Sequence, residues 1–225
     1  MRHPHNHNLI LTNASHYQGL ALMAHKGPFV ESYLQALLST LEQAMARHPR
    51  LFVIRFDLRY PQDMQADRCT GNEVITRFFR SLKAKINHNR QLAKGSCVYA
   101  HETDVRYVWA RELGQDGKPH YHVLLMLNRD AFHALGNYRS SGINTYKRIV
   151  AAWASALGLG GADDAEGLVH VSANGVWYLD RGDWATLNAV FQRASYLCKA
   201  DTKHYGQGSH GFGCSRVSEL WFSQA

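Results

Sequence analysis

The spacing of apolar residues changes period several times along this chain, and each change marks an element. Leu34, Leu37, Leu38, Leu41 and Met45 recur at three- and four-residue steps, which predicts a packing helix ended by His48-Pro49. From residue 51 the period becomes two. Phe52, Ile54, Phe56 and Leu58 form an apolar strand face, and Val53, Arg55, Asp57 and Arg59 form a mainly charged one. Thr70 and Glu73 stand in a capping-box pattern ahead of a helical stripe of Val74, Ile75, Phe78, Phe79, Leu82 and Ile86. Gly95 closes that helix, and a short strand is expected over residues 97–100. A further stripe, Ile143, Tyr146, Ile149, Val150, Trp153 and Leu157, predicts another helix. Short strands near residues 168–172 and 176–179 then bracket Asn174-Gly175, a hairpin signal. Asp183 caps a last helix with Trp184, Leu187, Val190, Phe191, Ala194 and Cys198 on one face and Arg193, Tyr196, Lys199 and Lys203 on the other. The pattern predicts an α+β fold in which helices pack on a central antiparallel sheet.

The stretch over residues 106–127 is the centre of this arrangement. Val108, Ala110 and Glu112 share one strand face, as do His120, His122, Leu124 and Met126. Between the strands lies Gln115-Asp116-Gly117, and a three-residue loop with Gly117 in the left-handed region sets Glu112 opposite His120. A two-residue Asp116-Gly117 turn would pair Leu113 with His120 and send Glu112 to the other face, because a slip of one residue inverts every side chain. The three-residue loop is the expected one. Two imidazoles and one carboxylate on one face leave coordination positions open, which suits a catalytic divalent metal, Mg or Mn. His-x-His alone is weak in a chain of 14 histidines. His3, His5 and His7 repeat the spacing in a segment that reads as a loose tail, and strand histidines are often simply hydrogen-bonded.

Length and charge narrow the field further. The 225 residues, 45% of them apolar, suffice for one well-cored domain, expected over residues 29–225 after a weakly ordered tail over residues 1–28. A formal net charge of +7 favours a polyanionic partner, with nucleic acid the default. The basic face of the second helix, Arg77, Arg80, Lys83, Lys85 and Arg90, fits a phosphate backbone or a solvated surface equally well. No apolar run is long enough for a membrane span, the four cysteines lack paired close spacings, and no signal peptide is evident. These features predict a cytoplasmic protein without membrane attachment. Asp57 has two readings: a brace for a metal ligand or arginine, or an ordinary ion pair with Arg55 or Arg59.

The strand HYHVLLML, with a glutamate eight residues before its first histidine, resembles the motif of the HUH endonucleases. The pair Tyr196-Leu197-Cys198-Lys199 resembles the nucleophile motif of their replication-initiator branch. RLFVIRFDLRYP and ASYLCKADTKHYG are similar to inovirus-type replication proteins of filamentous phages and prophages, and this likeness runs from about residue 51 to the C-terminus. The resemblance implies a ferredoxin-like split βαβ fold. It implies Glu112, His120 and His122 as metal ligands, Tyr196 as nucleophile and Lys199 as its partner. It also implies single-stranded or origin hairpin DNA as substrate, and a host helicase and polymerase as partners, since no Walker-type sequence occurs.

The chemistry expected is nicking by Tyr196 to give a 5′-phosphotyrosine and a free 3′-hydroxyl, later reversed to join ends, as rolling-circle initiation needs. A free phenol ionises near about 10, so the site has to favour the nucleophilic form. Arg55, Arg59, Arg193 and Lys203 are candidate DNA contacts. Tyr205 is a rival nucleophile in a looser setting. A single-tyrosine transposase or mobilisation nuclease, a hydrolase that uses water, and a noncatalytic DNA-binding regulator are the alternatives.

Overall fold

A computed structural model describes residues 1–4, 6–65, 71–114, 117–139, 141–200 and 210–216. Five short strands open the chain: β1 (Arg2–His3), β2 (Asn6–Thr12), β3 (His16–Tyr17), β4 (Leu20–Ala21) and β5 (Phe29–Val30). There follow α1 (Glu31–Arg47), β6 (Arg50–Leu58), α2 (Glu73–Ser96), β7 (Arg106–Leu113), β8 (Pro119–Asn128), α3 (Thr145–Leu157), β9 (Val169–Asp180), α4 (Trp184–Ala194) and β10 (Phe212–Cys214). The fold is α+β.

Its main sheet is antiparallel, in the order β10-β7-β8-β6-β9. The segment from β6 to β9 runs strand, helix, strand, strand, helix, strand. Numbered in chain order, its four strands stand 4-1-3-2 from the β9 edge, the split βαβ arrangement. The hairpin of β7 and β8 is therefore internal, with β6 on its far side.

Both faces of the sheet are covered, which explains why β8 reads as a continuous apolar run beyond its histidines. Phe52, Ile54, Phe56, Tyr121, Val123 and Leu125 pack under α2 and α3, with Trp153 fully buried and its Nε1 donating to the Arg59 carbonyl (2.7 Å). Leu51, Val53, Val108, Ala110, Leu124 and Met126 pack on the other face against α1 and α4. Apolar residues occupy one end of this second face. The opposite end carries Arg55, Asp57, Glu112, His120 and His122.

Several local expectations are corrected. The first 28 residues, expected to be a weakly ordered tail, contribute strands and bury Leu11, Leu20 and Leu22; β1, β2 and β5 form a small sheet beside α1. Leu20 and Leu22 lie too far from any regular period for a local pattern to reveal their burial. Helix α2 continues to Ser96, so residues 97–100 form a turn instead of a strand. Its N-cap is Asn72, and Thr70, expected to cap it, lies outside the described residues.

Asn174-Gly175 does not close a hairpin either. Residues 169–180 are one strand, both halves of which pair with β6 around a bulge. Asn174 has φ 55°, and a Cβ on Gly175 would lie 2.7 Å from the Ser172 carbonyl oxygen and 2.8 Å from that of Arg55. The close approach of β6 requires glycine there.

Packing of the N-terminal segment is directly measurable. Leu20→Ala is expected to cost about 2–5 kcal/mol in urea unfolding, the usual range for a buried leucine. A cost near zero would mean that the segment is a tail after all.

Candidate active site

The register of the hairpin is the one expected. Glu112 pairs with His120, Leu113 with Pro119, the Gly114 N–H donates to the Lys118 carbonyl (2.8 Å), and Gly117 has φ 72°. Gln115 and Asp116 lie outside the described residues. Because side chains two apart share a face, this register brings Glu112, His120 and His122 together, with one ligand atom from each inside 4.8 Å of the others. His122 Nε2 is 3.3 Å and His120 Nε2 3.8 Å from Glu112 Oε2. Glu112 and His122 are buried and His120 is partly open, so the cluster faces solvent on one side only.

Long-range pairing adds a residue whose role local pattern left open. On β6, Asp57 stands directly opposite His122, and the Nδ1–H of His122 donates to Asp57 Oδ1 (2.6 Å). This bond turns Nε2 toward Glu112, the arrangement by which a carboxylate orients a histidine ligand. Asp57 also lies 4.0 Å from Arg55. Both readings of Asp57 are thus present in one side chain, with the histidine contact much the shorter. Only the β6–β8 register decides this.

The tyrosine reaches the cluster from α4, but not on a continuous helix. The α-helix stops at Ala194, tightens to a 3-10 turn over Ser195–Cys198, and passes into extended backbone at Lys199. Ser195 Oγ donates to the Gln192 carbonyl (2.7 Å) and accepts from the Met23 N–H (3.1 Å), while Lys199 bridges to Phe29. The change of geometry folds the Lys199 side chain back. Its Nζ donates to the Tyr196 hydroxyl (2.7 Å) and lies 3.1 Å from Glu112 Oε1, and the hydroxyl in turn lies 3.4 Å from Glu112 Oε2. Tyr196 and Lys199, expected on an open basic helix face, instead close over the cluster, and Lys199 is buried.

The other candidates divide. The Tyr196 ring stands edge-on to His122, with centroids 5.1 Å apart, and the Arg55 guanidinium lies 5.3 Å from its centre. Arg55 is buried and donates to Ser172 Oγ (2.8 Å) in the β9 bulge, so it underlies the tyrosine and is no part of an open surface. Arg59 and Arg193 are exposed near the rim. Lys203 and Tyr205 lie outside the described residues.

Two imidazole nitrogens and a carboxylate oxygen at these separations form a donor set suited to a divalent metal ion. Burial pushes the His122 pKa down, but the hydrogen bonds and charges of Asp57 and Glu112 outweigh it and hold His122 above its ordinary 6.5. Burial raises Asp57, but the His122 hydrogen bond and the charges of His122 and Arg55 bring it below its ordinary 3.8. His120 is lowered, by burial first and by His122 second.

A raised imidazole contributes stability that is full below its unfolded value and fades as pH rises through the folded one. A depressed carboxyl contributes stability that is present above its unfolded value and fades as pH falls through the folded one. The two windows overlap between 3.8 and 6.5. In the metal-free protein, Asp57→Asn is therefore expected to destabilise most in that interval and least in alkali. Urea unfolding from about pH 4 to about pH 9 checks this, and an equal penalty at every pH would remove the charge pairing from the account.

Sequence comparison places these residues in a family. Residues 4–215 match the family model described as the YagK/YfjJ C-terminal domain. The chain is 36% identical over 180 residues to the Escherichia coli (strain K12) protein YagK, covering 76% of this chain and 86% of YagK. It is 30% identical over 201 residues to YfjJ of the same organism, covering 84% of this chain and 96% of YfjJ. Both relatives carry the word uncharacterized in their names. No solved structure matches. Among the described residues no helix is long and apolar enough to cross a membrane. With the match extending from the N-terminal strands to the last described residues, the chain belongs to the YagK/YfjJ C-terminal domain family.

Proposed function

We propose that this protein is a metal-dependent DNA nicking and joining enzyme of the HUH type, acting on single-stranded or hairpin origin DNA as a rolling-circle initiator. The observation that supports the reading is the approach of the Tyr196 hydroxyl to Glu112, with Lys199 bonded to both. A tyrosine hydroxyl that donates to a carboxylate and accepts from a lysine, beside two imidazoles, has the setting of an activated nucleophile.

Glu112, His120 and His122 would hold a divalent ion, Mg or Mn, which supplies charge to a nonbridging phosphate oxygen and makes phosphorus more electrophilic. Asp57 keeps His122 in the tautomer that presents Nε2. Lys199 Nζ donates to the Tyr196 oxygen and so places a positive charge at the attacking atom. The Tyr196 oxygen forms a bond to phosphorus, and the P–O3′ bond breaks with its electron pair going to O3′. The phenol proton passes to water and O3′ takes one up from water, so the exchange is balanced. The phosphodiester energy stays in the phosphotyrosine, and the 3′-hydroxyl can reverse the step. That reversibility suits an enzyme that nicks, lets a polymerase extend the end and closes the strand. A transposase or mobilisation enzyme would use the same steps on another substrate.

The test is incubation with Mn²⁺ or Mg²⁺ and labelled single-stranded DNA from the encoding replicon, scored on denaturing gels for label that migrates with protein. An adduct is expected, absent in Tyr196→Phe and in His120→Ala. Cleavage that persists in Tyr196→Phe with no adduct would make water the nucleophile, and binding without cleavage would make the protein a regulator.

A separate expectation concerns the lysine. Lys199→Met should lower the rate of adduct formation about 10²–10³-fold, the cost of removing one donor from a developing anion. It should leave DNA affinity nearly unchanged in anisotropy titrations, whereas a parallel loss of affinity would assign Lys199 to binding.

A further inference from the structure

One cleft is lined in part by His120, and a second lies beside the 3-10 turn that carries Tyr196. Arg55 and Asp57 share one face of β6, and Arg59 immediately follows its last residue; at about 3.3 Å per residue of extended backbone Arg55 and Arg59 lie about 13 Å apart. Asp57, between them, holds His122. At the Arg59 end, Arg59, Tyr60, Gln62, Lys118 and His120 line a cleft of about 400 Å³. Lys118 Nζ bonds the carbonyls of Pro61 and Gln62, which fixes the two walls to each other. At the Arg55 end stands the Tyr196 ring. Arg193, one turn before Tyr196, is close enough for its charge to act on Arg55. There Leu22, Met23, His25, Gln192 and Arg193 line a cleft of about 510 Å³. Its wall is tied to the residue before the tyrosine through Met23 N–H and Ser195 Oγ.

Displacement at phosphorus is in line, so the leaving oxygen lies opposite the attacking one. Tyr196 attacks from the Arg55 end. The bond that breaks then points to the Arg59 end. We propose, resting on the nicking reading above, that the two clefts set the polarity of the bound strand. The Arg59–Lys118 cleft holds the nucleotide that leaves with a 3′-hydroxyl, and the Met23–Arg193 cleft holds the nucleotide whose phosphate stays on Tyr196.

The chemistry of each cleft suits its occupant. Each sets an exposed arginine, suited to a phosphate, beside an accessible imidazole, His120 in one and His25 in the other, on which a base can stack. The assignment gives the N-terminal segment a direct function, since Met23 and His25 would meet the covalently retained strand. Retention of the 3′ end beside His120 keeps it in place for rejoining.

Cross-linking tests the assignment. Wild-type protein first maps the nick. An uncut strand carrying 5-iododeoxyuridine on one side of that position is then bound with Mn²⁺ to the Tyr196→Phe protein and irradiated, and the joined peptides are identified by mass spectrometry. The base 5′ to the nick is expected on peptides containing Tyr60 or Lys118, and the base 3′ to it on peptides containing Met23 or Arg193. Product binding gives a second readout. Arg59→Ala should weaken binding of the 3′-hydroxyl oligonucleotide about tenfold and spare the 5′-phosphate one, with Arg193→Ala doing the reverse. The opposite assignment, or cross-links at neither cleft, overturns the polarity while leaving the nicking reading intact. A wild-type protein that forms no adduct overturns the nicking reading, and the polarity with it.

Discussion

The antiparallel pairing of Glu112 with His120 is the constraint on which the site depends. A shift of one residue in the β7–β8 ladder would turn Glu112 to the face under α2 and α3, where its charge would be buried among aromatic rings. The same ladder continues to Arg106 opposite Met126, and its neighbour pairs Asp57 with His122. Register in one hairpin thus positions all three candidate ligands and, through β6, the group that orients one of them. Apolar residues farther along each strand make the alternative registers costly, so the core itself holds the site in place.

The charges gathered at this end of the sheet are paired in a way that anticipates a cation. Glu112 and Asp57 face Lys199, Arg55 and a histidine whose proton is held above its ordinary pKa. Two buried carboxylates without such company would carry a large desolvation cost. In the metal-free protein Lys199 and the His122 proton provide the compensation. Glu112, His120 and His122 would hold a divalent ion with His122 neutral and its Nδ1–H on Asp57. Lys199 would then be free to serve the Tyr196 oxygen alone.

Much of this was legible in local pattern, and the omissions share one physical origin. Period-two runs identified β6, β7 and β8. The Gly117 loop identified the register, and helical stripes identified α1 to α4 within a few residues. The candidate metal ligands followed because all three belong to one hairpin. What local pattern missed depends on partners distant in the chain. The bulge at Gly175 reads as a hairpin until β6 is seen to run beside both halves of β9. Asp57 reads as an ion pair with its strand neighbours until β8 supplies His122. The basic stripe of Arg193, Tyr196 and Lys199 reads as a solvated helix face until contacts with residues 23 and 29 bend the chain.

That last contact changes how the proposed nucleophile is held. A tyrosine on a helix surface samples several rotamers, and fixing its oxygen at a reacting phosphorus removes that freedom in advance of reaction. Here the restraint is distributed over three elements. The Ala21 N–H donates to Asn188 Oδ1 (2.7 Å), the Met23 N–H to Ser195 Oγ and the Ala200 N–H to the Pro28 carbonyl (2.9 Å). Each of these three bonds to the N-terminal segment ties it to one stretch around Tyr196: the helix before the 3-10 turn, the turn itself, or the extended strand after it. The ladder positions Glu112, His120 and His122, and the N-terminal segment positions Tyr196, so the meeting of its hydroxyl with Glu112 depends on both.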